Sequence, residues 1–240
     1  MTTKPSRGLR TLQALACMAV AVGLTLALNA PVDAFQGEFA RIMHIHVPAS
    51  WLAFLAFGVT ALGSVMWRLR RTRRWDRLAA SSAELGVLFT GLSLMTGSIW
   101  GGAVWGTYWD WADPRMATTA LMFFVYLGYL ALRRTTDDAD TAASRSSLLG
   151  IIAVVQVPLV YFSVNLFRGL HQGQSIRPDG VTMPTEMLVA MLVNLAALTL
   201  LYVAFLVSRM DLMRREEAAE AAEPVAGSTV TAPRLEVGDA

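Results

Sequence analysis

Six stretches of the 240-residue chain run without Asp, Glu, Lys or Arg for long enough to matter: Leu12 to Ala30, Val47 to Trp67, Leu85 to Ala103, Met116 to Leu132, Leu148 to Phe167 and Met187 to Ser208. An α-helix needs roughly 20 mainly apolar residues to cross about 30 Å of hydrocarbon, so the pattern predicts six transmembrane helices. The fourth stretch is short, and a turn of the tryptophan-rich segment before it or of the arginine pair after it must complete it. Transmembrane strands would instead alternate apolar and polar residues in short segments, and these runs do not. The expected fold is therefore an all-α integral membrane domain over residues 12–208. A short N-terminus over residues 1–11 precedes it and a tail over residues 209–240 follows it. That tail is acidic and Ala-rich, with Pro224 and Pro233 and few large apolar residues, and is expected to be disordered.

Composition agrees: hydrophobic residues make up 55% and charged residues 16% of the chain, which excludes an ordinary soluble domain. The net charge of +2 is too small to argue for nucleic acid. It matters instead where the basic residues fall. Sixteen of the 20 lie at the N-terminus, in the second and fourth loops and after the sixth run, against Arg41, Arg115, Arg168 and Arg177 on the other side. By the positive-inside rule both termini are cytoplasmic and the odd-numbered loops are outside, as in a multi-pass protein of a bacterial inner membrane. Arg7 to Ala34 also has the form of a secretory leader, with Val32-Asp33-Ala34 as a cleavage site, but its apolar run is longer than a usual leader core, which favours a retained first helix. The single Cys17 supplies no disulfide or CxxC pair.

The predicted outer face holds all three histidines, His44, His46 and His171, and four of the seven tryptophans, Trp100, Trp105, Trp109 and Trp111. Aromatic belts spread over both interfaces, whereas these tryptophans crowd into one loop with Gly101, Gly102 and Gly106, the mark of a ligand platform. His44 reads as a solvated loop residue. His46 and His171 each flank a predicted helix end, so topology sets both at one depth. Two neutral imidazoles at one depth suit the two axial positions of a haem iron. Zinc would usually call for three or four ligands. Arg115, at the foot of the loop, is the candidate partner for haem propionates, while Arg41, Arg168 and Arg177 read as solvated charges. A transmembrane b-type cytochrome is an alternative, but three histidines on one side allow at most one bis-histidine haem. A small-molecule transporter subunit is another, for which Gln156 and Pro158 in the fifth run are the only mid-membrane feature; a simple kink is the plainer reading. Glu84, Asn165, Glu186 and Asn194 read as packing residues.

Three motifs carry a resemblance. The segment Trp105-Gly-Thr-Tyr-Trp-Asp-Trp-Ala-Asp-Pro-Arg115 is similar to the tryptophan-rich WWD signature, WGTWWxWDxR, of the haem-handling proteins of cytochrome c maturation. His46-Val-Pro-Ala-Ser-Trp51 resembles their HVP segment and Leu170-His171-Gln-Gly-Gln-Ser175 their LHQGS segment. The resemblance covers roughly residues 40–208, and the short six-helix layout is similar to the haem-delivery (CcmC) branch. Tyr108 stands where the pattern has tryptophan, and Ala112 is an extra residue before Asp113. The resemblance implies a non-enzymatic haem-transfer protein, holding haem b transiently and non-covalently. His46 and His171 would be the axial ligands, with Trp105, Tyr108, Trp109, Trp111, Asp113 and Arg115 the rest of the site. It also implies partners: a small CcmE-like haem chaperone, an ATP-binding transporter complex (CcmAB-like) and a small membrane subunit. The chain itself carries no GxxxxGK[ST] segment for ATP.

Overall fold

The structure, a computed structural model, describes residues 6–173, 175–177 and 179–222. Seven α-helices follow one another: α1 (Arg7–Leu28), α2 (Met43–Arg70), α3 (Arg73–Trp105), α4 (Pro114–Arg133), α5 (Ala139–Ala153), α6 (Gln156–Leu166) and α7 (Thr185–Ala222). A 3-10 turn, Glu38–Ile42, leads into α2, and a two-stranded ribbon, β1 (Ile176–Arg177) paired antiparallel with β2 (Gly180–Val181), precedes α7. With α5 and α6 forming one span, six helical segments among the described residues are long and apolar enough to cross a bilayer, and the protein is multi-pass.

Local chemistry sets the boundaries. The Ser6 hydroxyl accepts from the Leu9 amide at the start of α1 (3.2 Å), and Asp138 caps α5 through the Thr141 amide (2.8 Å). Asp113 caps α4 with Pro114 in the first helical position, a pairing that uses proline where its missing N–H costs nothing. At the end of α3, Gly106 takes a left-handed conformation (φ 75°) that a side chain would strain. The fifth span is broken at Val154–Val155, because Pro158 cannot donate to the Val154 carbonyl four residues back; that carbonyl accepts from Val157 instead (3.0 Å).

α2 and α3 form the central hairpin, α1 lies along α7, and α4 braces both halves of the fifth span. The core between them is built on Leu52, Phe57, Phe89, Met122, Tyr126 and Tyr202. Two polar ties cross it: Asn194 donates to the Gly23 carbonyl (2.8 Å), and Ser82 pairs with Tyr202 (2.7 Å). The arginine-rich end is stapled more heavily. Arg133 forks onto both oxygens of buried Asp76 (2.7 and 2.8 Å) and donates to Ser146 (2.9 Å), joining α4, α3 and α5. Arg68 reaches Ser147 (3.1 Å), and Arg209 holds Glu84 (2.6 Å).

Several expectations change. Residues 209–222, expected to be disordered, continue α7 as helix, because Asp211 pairs with Arg214 and Arg215 along it and Glu217 takes Arg77 of α3 (2.7 Å). The rest of that tail, 223–240, lies outside the described residues. The third helix runs from Arg73 to Trp105, so Trp100 and Trp105 stand on helix and only Gly106 to Asp113 remain as loop. α4 gains its missing length from Pro114 and Arg115 before the apolar run and Arg133 after it. His44, expected in water, is fully buried in the first turn of α2, its Nδ1 on the Arg41 carbonyl (3.1 Å), because the 3-10 turn carries helix upstream of the apolar run and turns this residue inward.

Candidate functional site

A cavity opens at the histidine-bearing end and reaches down between α2, α3, α4, α6 and α7. About 200 Å³ of it is open to a water-sized molecule, and its walls are mainly apolar. His46, His171, Trp105, Trp109 and Arg115 all line it. Tyr108 and Trp111 do not: both are about two-thirds exposed, Trp111 standing edge-on to Trp109 with ring centroids 5.0 Å apart. Asp113 is buried behind the wall rather than on it.

His171 arrives on the segment after α6, and Asp113 fixes its place. The Oδ2 of Asp113 accepts the amides of Leu170 (2.7 Å) and His171 (3.3 Å), while its Oδ1 meets the His171 Nδ1 (2.9 Å) and the Met116 amide (3.0 Å). Gly169 is required beside it, since a Cβ there would fall 2.5 Å from Asp113 Oδ2. Burial lowers the His171 pKa and Arg115 adds to that, outweighing the pull of Asp113 in the other direction. Burial would raise the Asp113 carboxyl, but the Met116 amide, the His171 ring and the Leu170 and His171 amides together hold it below its ordinary value. The close pair is thus a neutral imidazole donating Nδ1–H to a carboxylate, not an ion pair. That fixes the tautomer and leaves Nε2 as the free lone pair.

His46 is set by helix packing. Its Nδ1 lies 3.0 Å from the Ser93 carbonyl and 3.2 Å from the Thr96 hydroxyl on α3. The fit depends on Gly97, where a Cβ would sit 2.7 Å from the His46 ring. Here too the Nδ1 is engaged and Nε2 is the nitrogen left to bind. Each imidazole has an indole beside it, Trp100 edge-on to His46 (centroids 5.7 Å) and Trp105 edge-on to His171 (4.8 Å).

Two buried donors on the same wall lack protein acceptors: the Trp109 indole N–H and the Arg115 Nε–H. Arg115 spends a terminal nitrogen on the Tyr161 carbonyl (3.0 Å). Stranded buried donors are costly, on the order of 1–3 kcal/mol each, so they mark where an acceptor belongs. Among the described residues no three His, Cys, Asp or Glu side chains converge as metal ligands. A site offering two imidazole nitrogens, indole faces and donors for carboxylates fits an iron porphyrin.

Sequence reasoning passed over several residues here. Gln36, in the loop before α2, accepts from the Trp100 indole (2.9 Å) and donates to Gln172 (3.3 Å), crossing the cavity mouth. Trp51 and Tyr161 meet edge to face with centroids 5.8 Å apart. A glycine mid-span, such as Gly97, was the available signal for a side chain seated against α3; nothing local marks Gln36.

Comparison with known proteins identifies a family. The chain matches the family described as CcmC, heme exporter protein C, over residues 3–223. It is 37% identical to the heme exporter protein C of Bradyrhizobium diazoefficiens, covering 88% of this chain and 81% of that one. It is 34% identical to the protein of the same name from Haemophilus influenzae, over 84% and 83%. With the Escherichia coli K12 protein the figures are 36% identity over 62% of each chain. A match across nearly all of the described helices, at this identity and with the three motifs in place, makes the chain a member of the heme exporter protein C family.

Proposed function

We propose that the protein binds haem b at the histidine end of the bundle and passes it, without catalysing a reaction, to a small CcmE-like chaperone in cytochrome c maturation. The observation that carries this is the shared wall: two imidazoles whose Nδ1 atoms are already engaged, lining one cavity with two acceptor-less donors. His46 and His171 would hold the iron of a bound haem through their Nε2 atoms. Other residues do the rest. Asp113 and Ser93 orient the imidazoles, Trp105 and Trp109 supply apolar walls, and Arg115 and the Trp109 N–H meet carboxylates. Tyr108, Trp111 and the loop around them lie outside the cavity, where a docking chaperone would touch them. The relatives' names are those of heme exporter proteins, which accords with a transient, non-covalent cargo and with partners of the CcmAB type and a small membrane subunit. The 16-to-4 division of basic residues supports a histidine end outside and both termini inside a bacterial inner membrane.

The test is the absorption spectrum of the purified, haem-loaded protein with and without dithionite. A six-coordinate low-spin spectrum is expected; His46→Ala and His171→Ala should each lower retention or shift it towards five-coordinate. Full haem and an unchanged spectrum in both variants would sink the assignment.

A further inference from the structure

The closed end of the α2–α3 hairpin carries six arginines, Arg68, Arg70, Arg71, Arg73, Arg74 and Arg77, and their contacts divide them into two sets. Three are spent within the bundle. Arg68 donates to the Ser144 carbonyl (3.2 Å) and the Ser147 hydroxyl (3.1 Å), Arg73 pairs with Asp140 (3.1 Å) and Arg77 with Glu217 (2.7 Å). Arg70, Arg71 and Arg74 are exposed, and among the described residues their guanidinium groups have no hydrogen bond or ion pair. Two of them lie over indoles instead: the guanidinium carbon of Arg71 is 4.5 Å from the ring centroid of Trp67, and that of Arg74 is 5.9 Å from the centroid of Trp75. Arg71 reaches its place through a left-handed backbone (φ 52°) at the end of α2, where glycine is the usual residue.

The indoles mark a height. Gly63 packs against Ala79 and the Trp75 carbonyl, so one helical turn nearer the closed end Trp67 and Trp75 stand level. Trp67 also ends the charge-free run of α2, the depth at which aromatic side chains meet lipid headgroups. Just below the arginines, Leu62, Val65 and Leu69 share a face of α2 by their spacing, and all three are exposed. We propose that Arg70, Arg71 and Arg74 bind the phosphate of an anionic phospholipid whose acyl chains lie along Leu62, Val65 and Leu69. A guanidinium fork matches two phosphate oxygens at once, and basic clusters immediately beyond a transmembrane helix attract anionic lipid. An acidic protein segment would find the same charge, but it gives no part to the exposed leucines and valine beneath, which is why the lipid fits better. The proposal is independent of the haem site, which lies at the opposite end of the bundle.

The full chain is purified in a neutral detergent and titrated with equal amounts of phosphatidylglycerol and phosphatidylcholine, and the ratio of the two bound lipids is read by native mass spectrometry. Wild-type protein should prefer phosphatidylglycerol severalfold, and Arg70→Gln with Arg71→Gln and Arg74→Gln should bring the ratio close to equality. Arg74→Gln alone should lower the ratio in part, whereas Arg10→Gln, the same change of charge on α1, should leave it alone. A triple variant with the wild-type ratio overturns the site, and so does an Arg10→Gln protein that loses as much as Arg74→Gln, since net charge would then explain the preference. Inorganic phosphate or a short polyglutamate peptide, added in excess over the lipid, should not displace it. Displacement by phosphate would make this a free-anion site and displacement by the peptide a protein-docking site, and either result overturns the lipid. If the triple variant does not fold, the comparison of Arg74→Gln with Arg10→Gln decides alone.

Discussion

His171 rests on a carboxylate and His46 on a backbone carbonyl, so on the proposed reading they would be unequal ligands. A carboxylate behind the ring raises its basicity and fixes its orientation, and losing such a partner typically costs about 10–100-fold in metal affinity. Asp113→Asn should therefore weaken haem retention clearly while His46 is untouched, read as haem per protein after dialysis. Asp113→Ala should do more, since it also strips the α4 cap. The pH dependence follows from the same contact. Burial sets the His171 pKa below its ordinary 6.5. A group depressed on folding contributes stability that is complete above the unfolded value and is lost as pH falls. The haem-free protein should thus lose thermal stability as pH falls below about 7, and His171→Gln should flatten part of that slope. His44→Ala, by contrast, should cost stability through a buried void and leave the haem spectrum unchanged. At this scale the sequence singled out both cavity-lining histidines and Arg115, because their residue types are rare in a membrane chain. It placed Asp113 among the haem contacts, whereas its buried oxygens serve the His171 ring and two backbone amides; a contact 58 residues away leaves no local pattern.

The six spans were legible because a charge-free run is what hydrocarbon demands. Their helical ends were not, since helices continue past the hydrocarbon wherever caps and ion pairs sustain them. α3 begins at Arg73, with Asp76 and Glu84 inside it, and α7 continues through its Asp211 and Glu217 pairs. Pro158 was visible as a kink, and the structure adds that it divides the span into α5 and α6. Pro158→Ala should restore the hydrogen bond to Val154. A proline inside a helix costs about 3 kcal/mol, and the native break has already absorbed part of that. The variant should melt at a higher temperature by circular dichroism.

Across the whole molecule the two ends differ in what holds them. If the basic-residue count sets the orientation, a reporter enzyme that works only outside the cytoplasm should be active when fused after Gly106 and silent after Arg73 or Asp138. The reverse would put the haem site inside. The end rich in arginine is fastened by the fork of Arg133 on Asp76, with Arg68 and Arg209 beside it. Removing one partner of such a buried pair typically costs about 3–5 kcal/mol, because the other charge is stranded. Arg133→Ala should accordingly depress the amount of folded protein in the membrane, and Arg133→Lys should recover only part of it. In mechanical terms the bundle is a pair of tongs: riveted where the arginines lie, it is joined at the far end by lighter clasps such as Gln36 on Trp100. A tool hinged this way releases by flexing its arms rather than by coming apart, and a loosened rivet would cost it grip before it cost it shape.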